Sequence, residues 1–195
     1  MSDIVPAELK AKLFSEGKFL VSKIDAETIE SIQEWILRNR LQDDPKTEFT
    51  LVINSSGGDP GLVTYFASFL RTLSDEVKLK GVAYGECGSA ALALLQCCHE
   101  RIAVKHCGFF IHHISDTLTI SCHNLDMAKV RHVVDTSKKL EDELVELQAE
   151  RCGMSKQRWK TLADKGEKTP GSAILPKEAE QLGMIDKIIE KYPLF

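Results

Sequence analysis

The sequence predicts an α/β domain built on a largely parallel sheet, and three observations carry that expectation. Short apolar runs at 49–53, 77–84, 101–104 and 109–111 have strand length. Segments whose apolar residues recur at helical spacing lie between or before them, at 25–39, 61–73 and 89–98. Glycine-rich turn signals at 54–60 and 85–89 fall where a strand hands over to a helix. Strands alternating with helices imply right-handed β-α-β crossovers, which make neighbouring strands parallel.

Taken along the chain, residues 18–21 read as a first short strand. Residues 25–39 follow as a helix, with Ile29, Ile32, Trp35 and Ile36 on one stripe and Asp25 as its cap. The helix at 61–73 turns Val63, Phe66, Phe69 and Leu70 inward. After the strands at 101–104 and 109–111 the character changes. Residues 115–121 alternate, with Thr117, Thr119 and Ser121 on one face and Leu118 and Ile120 on the other, as an exposed extended arm would. Residues 123–151 form a charged helix with an apolar stripe through Val130, Val133, Val134, Leu140, Leu144 and Leu147. At about 28 residues such a helix is roughly 42 Å long, more than the rest of the domain can cover, so a partner subunit is expected over the excess. Pro170 and Gly171 close a polar loop, 176–182 is a short helix and 184–189 a last strand. With no repeat, low-complexity tract or linker, residues 1–195 read as a single domain.

The net charge of −4 gives no general attraction to nucleic acid or to an anionic membrane. No run approaches the ~18 apolar residues of a membrane span. The first residues lack the basic and apolar regions of a secretory signal, so the cytosol is the expected compartment and reduced thiols the expected state. Cys97, Cys98, His99, His106 and Cys107 cluster in sequence but lack the paired C-x-x-C spacing of a structural zinc site. They read as small core side chains, and no metal or cofactor is expected.

Ligands of open α/β sheets bind beyond the carboxyl ends of strands. Two loops occupy that position. Gly57 and Gly58 let the backbone approach a ligand closely and turn its N–H groups outward. Ser89 opens a helix, so the Ala90 N–H is free to face an anionic intermediate. The Gly58 and Ala90 N–H groups together would form an oxyanion hole. A serine hydroxyl needs a base to become a nucleophile, and His112 and His113 end an apolar strand nearby. Alternation along a strand would turn only one of them toward the serine. On spacing alone Ser89 reads equally well as a helix cap, Gly57-Gly58 as a plain turn and His112 as a core histidine. The lipase-type G-x-S-x-G motif does not fit, because Cys87 stands at its first glycine; Cys87 is itself an alternative nucleophile.

Four stretches in order carry a resemblance. Residues 49–59, Phe-Thr-Leu-Val-Ile-Asn-Ser-Ser-Gly-Gly-Asp, resemble a strand ending in I-N-S-P-G-G. Gly85-Glu-Cys-Gly-Ser-Ala-Ala91 resembles G-x-A-A-S-M-G, Gly108-Phe-Phe-Ile-His-His113 resembles R-x-M-I-H-Q, and the run 176–186 resembles a closing S-A-x-E-A-x-x-Y-G-L-I-D. These are motifs of the proteolytic subunit of the Clp protease, within the ClpP/crotonase fold of stacked β-α-β units with a protruding handle helix. The resemblance implies a serine endopeptidase: Ser89 as nucleophile, His112 as general base, Gly58 and Ala90 N–H as oxyanion hole. It implies homo-oligomeric rings of seven, possibly stacked in pairs through a handle at about 115–151, enclosing a chamber for unfolded chains or short peptides. Three departures stand out. Gly171 occupies the slot of the family's catalytic aspartate, with Asp164 and Glu167 the nearest acids, upstream in a lengthened loop. The family's N-terminal axial loop has little counterpart before Leu13. Thr50 and Val52 replace aromatic residues that line the docking groove of the AAA+ unfoldase, which argues against that partner. The alternatives are a weak or inactive structural subunit of a mixed ring, a phage-type maturation protease acting on a dedicated substrate, or a crotonase-type acyl-CoA enzyme, which would have no use for the Ser89–His112 pair.

Overall fold

A computed structural model of the chain describes residues 7–73, 77–114, 126–169 and 171–191. The elements follow in the order α1 (Ala7–Ser15), β1 (Lys18–Val21), α2 (Ala26–Arg40), β2 (Glu48–Ser55), α3 (Pro60–Thr72), β3 (Lys78–Gly88) and α4 (Ala90–Gln96). Then come β4 (Glu100–Val104), β5 (Gly108–Phe110), α5 (Met127–Arg151), α6 (Lys156–Lys168), α7 (Pro176–Gln181) and β6 (Lys187–Ile189). The sheet runs β1-β2-β3-β4-β6 with every pair parallel, as the alternation of strands and helices requires, and β5 pairs with β3 off that path.

The hydrophobic pattern explains the layers. In α2 the stripe Ile29, Ile32, Trp35 and Ile36 is buried, and Asp25 caps the helix by accepting from the Thr28 N–H at 3.0 Å. The Trp35 ring meets Phe49 of β2 edge-on, with centroids 5.0 Å apart. Side chains of this size each contribute about 1.5–3 kcal/mol when fully buried. Helix α4 is buried along its whole length. Its alanines keep it thin, and Gly81 lets it settle on the sheet: a Cβ there would lie 2.5 Å from Leu95 Cδ1 and 2.8 Å from Cys98 Sγ.

β3 is longer than its apolar run suggested. The sequence ended it at Tyr84 and made 85–89 a loop; the strand instead continues to Gly88. Residues Lys80 to Ala83 pair with β4, whereas Glu86 to Gly88 pair with β5. The change of partner follows Gly85, whose φ of +68° is a left-handed value that favours glycine. Asn54 fills the gap by accepting from the Glu86 N–H at 2.9 Å, and β2 bulges between Ile53 and Ser55. Period-2 patterning could not follow a strand that kinks and re-pairs.

Helix α5 has 25 residues and is about 37 Å long. Its C-terminal turns bury Leu144, Val145, Gln148 and Ala149, while Met127, Val133 and Val134 on the first turns are exposed. The predicted arm at 115–121, and residues 123–125 of the predicted helix, lie outside the described residues. The anchored end of α5 is tied down by Arg101. Its guanidinium pairs with Asp186 and donates to Gln96 Oε1 at 2.7 Å, Arg151 O at 3.0 Å and Gly183 O at 2.8 Å. A buried cation with each of its three guanidinium nitrogens hydrogen-bonded is the arrangement burial demands. Among the described residues no helix is long and apolar enough to cross a membrane.

Candidate active site

Ser89 sits where β3 turns into α4, with φ 52° and ψ −126°. It is the one non-glycine residue with positive φ among the described residues. Such a conformation costs about 1–3 kcal/mol and persists only where the surroundings impose it. They do: the Ser89 N–H donates to Phe110 O at 2.9 Å, and its carbonyl accepts from Leu92 and Ala93 at 3.1 and 3.2 Å. The hydroxyl makes no capping bond, so the side chain does not act as the cap that its position suggested. This is the strained strand-to-helix elbow of α/β-hydrolase serines, reached without their motif. Small neighbours permit it. A Cβ at Gly88 would stand 3.1 Å from Ser56 O and 3.2 Å from Phe110 Cβ.

The Gly57-Gly58 loop is stitched to the segment before α2. Ile24 N–H donates to Gly57 O at 3.0 Å and Asp59 N–H to Ile24 O at 2.9 Å. The Gly57 N–H is taken by Ser55 Oγ at 3.1 Å. The Gly58 N–H and the Ala90 N–H have no hydrogen-bond partner among the described residues. Gly57 brings the two loops together, since a Cβ on it would lie 3.2 Å from the Ala90 nitrogen.

Gly58, Ser89, Ala90, His112, His113 and Glu141 share a cleft of about 120 Å³. β5 ends at Phe110, before either histidine, so strand alternation does not choose between them and both line the cleft. Their bonding differs. His112 is exposed, with Nδ1 2.5 Å from the His113 carbonyl oxygen. His113 Nδ1 meets Glu141 Oε1 at 2.5 Å, and its Nε2 meets Asp164 Oδ1 at 2.9 Å. The His113 N–H donates to Glu167 Oε1 at 3.2 Å. The Asp164 bond raises the His113 pKa above its ordinary value, Glu141 adds to the rise, and partial burial opposes both. An imidazole bonded through both nitrogens to carboxylates donates from both, so it has no lone pair with which to take a proton.

Asp164 and Glu167 are not in a loop, as the sequence suggested, but on α6. The signal was available: Ser155 caps the helix, accepting from the Arg158 N–H at 3.2 Å, and Trp159, Leu162 and Ala163 have helical spacing. Gly166 sets how close α6 comes, because a Cβ there would lie 2.0 Å from Ile111 O. The acids thus reach the histidine pair, but at His113 rather than His112. Gly171 has φ +82° and open space where a side chain would begin, with nothing within 4 Å.

The family model for Clp protease matches residues 7–192. The chain belongs to the Clp protease family. A comparison with curated proteins finds no match. Membership in the Clp protease family makes the chain a ClpP-type serine peptidase in general terms, of a family that generally forms oligomeric rings, and the parallel sheet of stacked β-α units agrees with it. Within this Clp protease chain the acids bond to His113 rather than to His112. Cys87 of this Clp protease chain is fully buried, and burial pushes its thiol well above the ordinary range. A buried, protonated thiol is inert. Cys98 and Cys107 are likewise core residues, and among the described residues no three histidines, cysteines or acids are grouped to hold a metal.

Proposed function

We propose that the chain is a serine endopeptidase with Ser89 as nucleophile, His112 as general base and the Gly58 and Ala90 N–H groups as oxyanion hole. The observation that carries this is the strained Ser89, its hydroxyl unused by the helix cap, opening on a cleft that His112 also lines. In the reaction Ser89 Oγ attacks the scissile carbonyl carbon as its proton passes to His112 Nε2. The oxyanion takes two main-chain hydrogen bonds, each such donor being worth about 2.7–4 kcal/mol. Collapse breaks the C–N bond, and the amine leaves with the proton from His112. Water, giving its proton to His112, then cleaves the acyl ester and restores Ser89. The exposed apolar turns of α5 support assembly into homo-oligomeric rings stacked through that helix, with unfolded chains or short peptides as substrates. No ATP-driven partner is needed for short peptides.

The test is labelling by a fluorophosphonate probe together with hydrolysis of short unstructured peptides without ATP. Both are expected in the wild type, absent in Ser89→Ala and weakened in His112→Ala. Labelling that survives Ser89→Ala would refute the assignment. One observation favours a second reading, a structural subunit of a mixed ring: among the described residues no carboxylate bonds to His112. That reading predicts ring assembly with no labelling of the wild type.

A further inference from the structure

We propose that the main-chain carbonyl of His113 replaces a third side chain as the group that orients His112, and that Glu141, Asp164 and Glu167 hold that carbonyl in place by clamping His113 from two helices. This rests on the reading of His112 as the general base. A catalytic histidine needs its far nitrogen held by an acceptor, which fixes the tautomer and aims the near nitrogen at the nucleophile. His112 Nδ1 has such an acceptor, the His113 oxygen at 2.5 Å. The bond requires Nδ1–H and leaves the Nε2 lone pair for the serine proton. Gly171 leaves the usual acid's place open, while the acids nearest the site have another task.

That task is mechanical. The imidazole of His113 is bonded to Glu141 on α5 and Asp164 on α6, and its N–H to Glu167 on α6. Bonds to its ring and to its N–H fix the Cα of His113, so the carbonyl that faces His112 can turn only about the one Cα–C bond. Gly166 packs α6 flush on Ile111 O, fixing the chain just upstream. Among the described residues these three carboxylates are the charged groups bonded to His113. Glu141, Asp164 and Glu167 are therefore positioning residues rather than catalytic ones, and His113 is one through its side chain. The electrostatic help that a buried aspartate gives to an imidazolium is supplied here by a dipole, with the acids one residue removed.

The experiment reads the His112 tautomer directly, by NMR of protein selectively ¹⁵N-labelled at histidine, with the His112 signals assigned by their loss in His112→Gln. The wild type at pH 8 is expected to show His112 as the Nδ1–H tautomer. In Glu141→Gln/Asp164→Asn, shown to be folded by circular dichroism, His112 is expected to become a mixture of tautomers. Its kcat for a short peptide should fall at least tenfold with KM within twofold. An Nε2–H tautomer in the wild type, or an unchanged kcat in the folded double variant, overturns the proposal. If the double variant does not fold, the wild-type tautomer alone decides. Retention of hydrolysis by Ser89→Ala would instead sink the peptidase reading, and the tautomer result does not depend on it.

Discussion

Gly57 stands directly behind Ser89: a Cβ on Gly57 would lie 2.8 Å from the Cβ of the serine. The glycine also has φ +124°, where an L side chain is strained whatever the space. Gly57→Ala should therefore cost about 2–4 kcal/mol in stability from strain and overpacking together. It should also lower kcat by displacing Ser89 and the Ala90 N–H. Thermal melts and peptide hydrolysis measure the two effects. Gly61→Ala is the control, because its Cβ would meet only side-chain ends, Asp59 Oδ1 at 3.2 Å and Leu140 Cδ2 at 3.9 Å. A Gly57→Ala protein as stable and active as that control would show that the two loops are not in contact.

The strain at Ser89 has a thermodynamic signature separate from catalysis. Ser89→Ala keeps a Cβ at φ 52°, whereas Ser89→Gly removes it. Strain of about 1–3 kcal/mol is relieved, against about 0.5–1 kcal/mol lost to the greater freedom of unfolded glycine. Both variants should be inactive, and Ser89→Gly should melt at the higher temperature. The reverse order in a denaturation series would mean that the elbow is unstrained.

The His113 clamp makes stability depend on pH in a definite sense. Its pKa is raised in the folded chain, chiefly by Asp164 and further by Glu141. The folded state thus binds the proton more tightly than the unfolded one. The stabilisation is fully present below the unfolded histidine value of about 6.5 and is lost as pH rises through the higher folded value. The melting temperature of wild type relative to His113→Gln should accordingly be greatest near pH 5.5 to 6 and shrink as the solution becomes alkaline. A difference that grows on the alkaline side would contradict the clamp.

The first turns of α5 offer a test of assembly. Val133 and Val134 are 37% and 42% exposed, so they contribute little within one subunit. Val133→Lys/Val134→Lys should leave the subunit's melting within about 0.5 kcal/mol per site of wild type. It should also separate stacked rings, because two charges would have to be buried at the contact. Sedimentation velocity or light scattering gives the mass before and after. An unchanged large assembly would place the contact elsewhere.

Most of the fold was legible because its elements are locally self-consistent. Asp25 ahead of the Ile29, Ile32, Trp35, Ile36 stripe states a helix before any tertiary contact forms, and residues 49–53, apolar but for Thr50, have the character of a strand buried on both faces. The extension of β3 to Gly88 was not legible, since Gly85, Glu86 and Gly88 have the composition of a turn, and it takes the pairing of Glu86 to Gly88 with β5 and of Cys87 with Ser55 to make a strand. Helix α6 was passed over because its polar residues hide a short stripe. The site divides in the same way. The Gly57-Gly58 and Ser89 loops announce themselves by small residues at strand ends. The clamp on His113 depends on contacts between residues 28 to 54 positions apart, which no local pattern encodes.

The eleven residues of β3 run from the centre of the sheet, through the change of partner at Gly85, to the residue before Ser89. The proposed nucleophile and the scaffold are one piece of chain, so the serine should not be displaced while the sheet stays intact. Warming the protein should then extinguish turnover and far-ultraviolet ellipticity along a single curve, and a dead but folded form should not accumulate.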